Sequence, residues 1–327
     1  MPSSASLSAP RRDLILIPLL LLILGSMWGA SFSLGKLGIE GGIPELGYAT
    51  WQALGSAVIV FLVLKLRRSG LPRGWPAWRF CLVSGLVGIC IPNLIFYFVI
   101  SHLPAGLMAV VVTTAPIITY GLALTAAMER LTWLRSLGIA LGFLGALVIV
   151  LPAQSLPEGL ELEWLLLAFL TPFCYALSNL YAGRYRPAGQ SSLGLACGML
   201  VVAGTVNAIA MVALIPVYLP LGPLGDGSWG VPEAALLGQV LISSLAYVIY
   251  FHIVQAAGAV YFSQVGYIVT VTGLLWGMWI FGEQHSAWIY GGTALILFGF
   301  ALVNIGRARQ PPAGSAKSGT ARSGTAK

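Results

Sequence analysis

The chain is a succession of apolar runs, each about 20 residues long, with almost no charge inside them. They lie at 14–35, 46–64, 80–100, 105–126, 134–151, 164–183, 193–215, 234–254, 259–281 and 287–305. An α-helix needs about 20 apolar residues to cross the hydrocarbon core of a bilayer. A transmembrane barrel would show alternating segments of about 10 residues instead, and these runs are apolar on every face. An all-α integral membrane protein with ten transmembrane helices is expected. The runs take up nearly two thirds of the 327 residues, and the links between them are too short for a soluble domain. Charged residues make up 8% of the chain and hydrophobic ones 58%, against about 25% charged in a soluble domain. That excludes a soluble enzyme or binding module. Disorder is confined to 306–327, a basic tail rich in Gly, Ser, Ala and Lys. The first run exceeds the ~7–15 residues of a signal-peptide core and reads as a retained helix. Cys81, Cys90, Cys174 and Cys197 fall inside runs without paired spacing, and read as small packing residues.

The basic residues are partitioned. With ten spans, all of them but Lys36 lie on the side that holds both termini. Eight of the ten acids lie on the other side, Asp13 and Glu129 being the exceptions. The positive-inside rule then puts both termini, including segment 1–13, in the cytoplasm. The basic loops set topology and meet anionic lipid; no nucleic-acid partner is needed.

An internal repeat is visible at an offset of 154 residues. It relates Glu129 to Glu283, Gly138 to Gly292, Gly145 to Gly299 and Ala105 to Ala259. Each half, 14–151 and 164–305, holds five runs. An odd number inverts the second half relative to the first, which gives an inverted-topology repeat, an architecture found in secondary transporters with a site near the midplane.

Several motifs resemble one family. They are Trp28-Gly29-Ala30-Ser31-Phe32, Leu103-Pro104-Ala105-Gly106, Pro116, Glu129-Arg130-Leu131-Thr132 with Gly138 and Gly145, and Phe281-Gly282-Glu283. In this order the chain resembles EamA-type permeases of the drug/metabolite transporter superfamily. One departure is Trp51-Gln52, where many members carry an arginine in the second span. The resemblance implies a single-chain carrier of small metabolites, often an exporter, in the bacterial inner membrane.

No run contains Asp, Glu or Lys, and Arg135 sits at a boundary. Intramembrane charges are costly and mark ion or substrate pathways; their absence disfavours lipophilic cations and leaves neutral or zwitterionic substrates. His252 is the sole ionisable group well inside a run, either hydrogen-bonded between helices or touching substrate. Lys36 is expected to snorkel to the interface. Polar and aromatic residues share faces at helical spacing. These are Trp28; Asn93 and Tyr97; Thr113 and Thr114; Tyr175, Ser178 and Asn179; Ser243, Tyr247 and Tyr250; Tyr261 and Gln264. In hydrocarbon such groups turn inward to find partners. Thr114 aside, they and His252 form the candidate substrate-binding set, an apolar-walled chamber with a few polar contacts. Pro92 and Pro116 are expected to interrupt the third and fourth runs. The glycine pairs Gly25/Gly29, Gly138/Gly142, Gly194/Gly198 and Gly273/Gly277 are expected to pack helices closely within the bundle.

The expected function is secondary transport of a small metabolite, such as an amino acid, by alternating access. There is no phosphate-binding Gly-x-x-x-x-Gly-Lys-Ser/Thr run. No cofactor, metal or catalytic group is expected, since His102, His252 and His285 are scattered and the acids lie in loops. A lipid or lipid-linked flippase of the same superfamily is the alternative; a channel would need a charged ring or filter loop. The expected partners are substrate and membrane lipid, with the chain a monomer or weak homo-oligomer.

Overall fold

The computed structural model of the chain describes residues 11–100, 102–103, 108, 111–112, 114–128, 131–150, 162–220, 229–282 and 287–308. The described residues form helices and connecting links, without a strand. The helices are α1 (Arg11–Glu40), α2 (Glu45–Leu66), α3 (Trp75–Gly85), α4 (Ile91–Val99), α5 (Ala115–Thr125), α6 (Trp133–Val150) and α7 (Leu162–Tyr185). They continue with α8 (Ser192–Leu214), α9 (Val231–Ala257), the single turn α10 (Ala259–Phe262), α11 (Val265–Phe281) and α12 (Ala287–Ala308). Helix ends are marked by local chemistry. Ser191 accepts from the Gly194 N–H at 3.0 Å to start α8, and Glu233 accepts from the Gly230 N–H at 2.9 Å to start α9. In α2, Glu45 in the first turn and Lys65 in the last complement the helix dipole.

Six described helical stretches are long and apolar enough to cross a membrane; four shorter apolar helices, in α5, α6, α11 and α12, stand where the remaining runs were expected. Exposed Leu, Ile and Val side chains cover the outer faces, and Trp75, Trp133, Trp229, Trp279 and Trp288 are exposed near helix ends, where interfacial aromatics belong. The protein is a multi-pass membrane protein.

Each of the two prolines follows a departure from regular α-helix. The third run is continuous through a π-helical turn, Leu86–Cys90, in which the Ile91 N–H reaches back to the Leu86 carbonyl. The wider turn makes room for Pro92, which cannot donate and whose ring would crowd the carbonyl four residues earlier. Pro116 lies in the first turn of α5, where a missing N–H costs nothing. The fourth run is interrupted by the turn at Thr114 just ahead of Pro116, and the ninth run is broken as well. Between α10 and α11 the bonds tighten to three-residue steps, from Gln264 N–H to Tyr261, Gly266 N–H to Ser263 and Tyr267 N–H to Gln264.

Packing pairs the helices in an exchanged pattern. α1 packs on α9 and α11, while α7 packs on α4 and α5; α2 packs on α9 and α8, while α8 packs on α3. α6 runs antiparallel to α12. A Cβ placed on Gly138 would lie 2.6 Å from the Gly299 carbonyl oxygen, and one on Gly145 would lie 2.6 Å from that of Gly292. The offset of 154 relates Gly138 to Gly292 and Gly145 to Gly299, so the contacts run crosswise between the two related pairs. Gly29 closes on Thr272 and Gly273 of α11, and Gly198 on Cys81 of α3. These glycines all serve contacts inside the bundle. Glu129 and Glu283, the acids of the repeat, lie outside the described residues.

Candidate substrate cavity

A cavity of about 120 Å³ lies where α1, α2, α4, α7 and α9 meet the break between α10 and α11. Its lining holds eight aromatic side chains: Trp28, Phe32, Phe96, Tyr97, Tyr175, Tyr247, Tyr250 and Phe262. The polar groups are neutral, and no Asp, Glu, Lys, Arg or His occurs among the described lining residues. The absence of Asp, Glu and Lys from the apolar runs leads directly to this: the parts of the helices that enclose the chamber carry no such residue to put into it.

The rings lock one another edge to face, as the ring quadrupole favours. Trp28 meets Tyr247 at 6.1 Å and Phe262 at 5.9 Å between centroids. Tyr250 meets Phe262 at 4.7 Å. Toward the α1–α2 link, Phe32 meets Phe96 at 5.2 Å and Tyr97 meets Tyr48 at 4.8 Å. Toward the opposite end, Phe80 stacks on Tyr181 at 5.6 Å and lies 6.2 Å from Phe251. The offset of 154 carries Phe96 and Tyr97 onto Tyr250 and Phe251, and Asn93 onto Tyr247. Beyond α7, Arg186 ties the α7–α8 link to α9 by donating to the Phe251 carbonyl at 3.2 Å. It also donates to Ser192 Oγ at 3.0 Å, and its burial pulls its pKa below the usual arginine value.

One polar network crosses the chamber. Gln52, 1% exposed, donates from Nε2 to Ser243 Oγ at 2.7 Å and accepts at Oε1 from Asn93 Nδ2 at 3.1 Å. The Tyr247 hydroxyl faces Asn93. One turn further along α2, Ser56 Oγ lies within hydrogen-bond distance of the Val240 carbonyl at 3.0 Å. α2, α4 and α9 are thus joined by groups that would otherwise be stranded in hydrocarbon.

Of the expected set, Trp28, Asn93, Tyr97, Tyr175, Ser178, Asn179, Ser243, Tyr247 and Tyr250 line the cavity. His252 does not: it is exposed on the outer face of α9. Two residues advance a helix by about 200°, so a neighbour of Tyr250 at that spacing must face away. Tyr261 and Gln264 are buried in the core but are not in the lining. The tightened turn rotates Phe262, Ser263, Val265 and Gly266 into the chamber in their place. Thr113 lies outside the described residues, while Thr114 donates to the Val111 carbonyl at 2.8 Å. Sequence reasoning passed over Gln52, Gln239, Thr171, Ser31 and Ser263, all of which line the cavity. A lone glutamine in an apolar run was the available signal, because a buried amide must find partners.

Residues 15–151 match the EamA-like transporter family. Across most of the chain there is similarity to the Escherichia coli K12 protein named "uncharacterized inner membrane transporter YedA", 25% identical and covering 89% of this chain and 92% of that one. The Bacillus subtilis "uncharacterized transporter YvbV" is 23% identical, covering 88% and 90% of the two chains. Residues 15–151 are thus an EamA-like transporter domain, and nearly the whole chain is similar to proteins named as membrane transporters. A solved crystal structure shares the fold of this chain with a TM-score of 0.69, at 17% identity, covering 89% of this chain and 98% of its own. As a membrane transporter, the protein has in this cavity its natural candidate for holding a passenger.

Proposed function

We propose that this protein is a secondary carrier that exports a small neutral or zwitterionic metabolite, an amino acid or a related compound, by alternating access. The observation that carries the reading is the ring-walled cavity, with no charged side chain among its described lining residues, to which helices of both halves contribute. A bound ion would lose its hydration there without gaining a counter-ion. A compact amphipathic molecule would gain ring contacts and be oriented by amides and hydroxyls.

In this reading, 14–151 and 164–305 are inverted repeats that rock about the cavity, with 1–13 and 306–327 in the cytoplasm of a bacterial cell. The crosswise glycine contacts support it, because a twofold axis between equivalent helices makes residue i meet j and j meet i. So does the exchanged packing of α1 with α7 and of α2 with α8. The ring clusters around Tyr48–Tyr97 and Phe80–Phe251 would close the two ends in turn.

Purified protein in liposomes, loaded with unlabelled amino acids and offered radiolabelled ones, tests this. Saturable, trans-stimulated uptake of at least one is expected. Flux that does not saturate would identify a channel, and no flux across the panel would reject amino acids as the substrate class.

A further inference from the structure

The polar atoms that line the cavity are not equally available. Gln52 is engaged at both ends of its amide, with Ser243 and with Asn93. Ser31 donates to the Met27 carbonyl at 3.3 Å within its own helix. Three lining atoms have no hydrogen-bond partner within the chain: Gln239 Oε1, on a residue 6% exposed, Thr171 Oγ1, on a residue 1% exposed, and the Tyr250 hydroxyl, on a residue 4% exposed; of these only the amide oxygen is purely an acceptor. Gln239 stands one turn before Ser243 on the same face of α9, next to the network but outside it. A buried amide oxygen without a donor is an open valence that an incoming molecule can fill.

We infer that Gln239 is the specificity-determining residue of the cavity and that it recognises an uncharged, flat, ring-bearing substrate through an N–H or O–H donor. This rests on the carrier reading above and narrows it to its neutral branch, so that amino acids are the poorer passengers and an uncharged relative is the better one. A carboxylate offered to the open Gln239 Oε1 would set acceptor against acceptor. An ammonium would find one carbonyl oxygen and no described acid in the lining. A neutral donor satisfies the amide, Thr171 can give or take a second bond, and Trp28, Tyr175, Tyr247 and Phe262 supply ring contacts to a planar body.

The test compares benzamide, N,N-dimethylbenzamide, benzoate and L-phenylalanine as radiolabelled substrates of the full chain in liposomes. The dimethyl compound keeps the ring and the carbonyl but lacks both donors. Benzamide is expected to be taken up saturably, with the dimethyl compound, benzoate and L-phenylalanine each at least about tenfold poorer. In Gln239→Met, benzamide should fall to the level of the dimethyl compound. Gln239→Glu keeps an acceptor oxygen at the same reach and should keep the preference for benzamide over the dimethyl compound. The wild-type substrate series stands even where a variant fails to fold. Equal uptake of benzamide and its dimethyl analogue, a preference that survives Gln239→Met, or better uptake of L-phenylalanine or benzoate overturns the inference alone. If none of these compounds and no amino acid shows saturable flux, the carrier reading falls and the inference falls with it.

Discussion

Alanine at Gly299 should destabilise the protein, whereas alanine at Gly291, on the same helix, should not. A Cβ at Gly299 would collide with the Gly138 carbonyl oxygen and lie 2.7 Å from the Gly142 amide nitrogen, so backbone must move. A Cβ at Gly291 meets nothing within 4 Å. Replacing Gly by Ala inside a helix contributes up to about 1 kcal/mol of stability on its own, and that gain is common to both variants. Forcing a methyl group into a closed contact costs about 1–3 kcal/mol. The difference between Gly291→Ala and Gly299→Ala is therefore expected to be about 1–3 kcal/mol, read as the shift in reversible unfolding by SDS in mixed micelles. Gly138→Ala crowds the same seam from the other side, at 2.6 Å from the Gly299 carbonyl oxygen. Once one methyl group has pushed the helices apart, the second should cost less, and the double variant should fall short of additivity by about 0.5 kcal/mol or more. Equal stability of Gly291→Ala and Gly299→Ala, or strict additivity of the Gly138 and Gly299 changes, would refute the close α6–α12 contact.

Replacing Tyr97 or Tyr175 with Ala should lower uptake by about tenfold through lost ring contacts, with size-exclusion profiles showing folded protein; undiminished uptake in both would remove them from the site. His252→Ala should leave both stability, within about 0.5 kcal/mol, and the pH profile of transport unchanged, since the ring lies outside the cavity. Gln52→Leu removes two interhelical bonds, each worth about 0.6 kcal/mol in membrane proteins. A double-mutant cycle with Asn93→Leu should return a coupling of about that size, and zero coupling would dissolve the proposed network.

Much of the molecule could be read from composition and spacing. Apolar runs of bilayer length require helices, because only a helix satisfies its own backbone in hydrocarbon. Spacings of three and four put Tyr175, Ser178 and Asn179 on one face, as they did Ser243, Tyr247 and Tyr250, and both faces line the cavity. The lack of charge in the runs carried over to the lining, because a chamber can show only the residues its helices possess. Spacing says which residues share a face but not which way that face turns, and this rotation is fixed by neighbouring helices. It placed His252 outward and left Tyr261 and Gln264 behind the wall. The break between α10 and α11, helices that pack on α7 and α1, was not expected from the spacing of the ninth run. The partners of Gln52 lie 41 and 191 residues away along the chain. Hydrogen bonds between such distant positions exist only after helices are brought together, so the division of the lining into engaged and open valences belongs to the folded molecule.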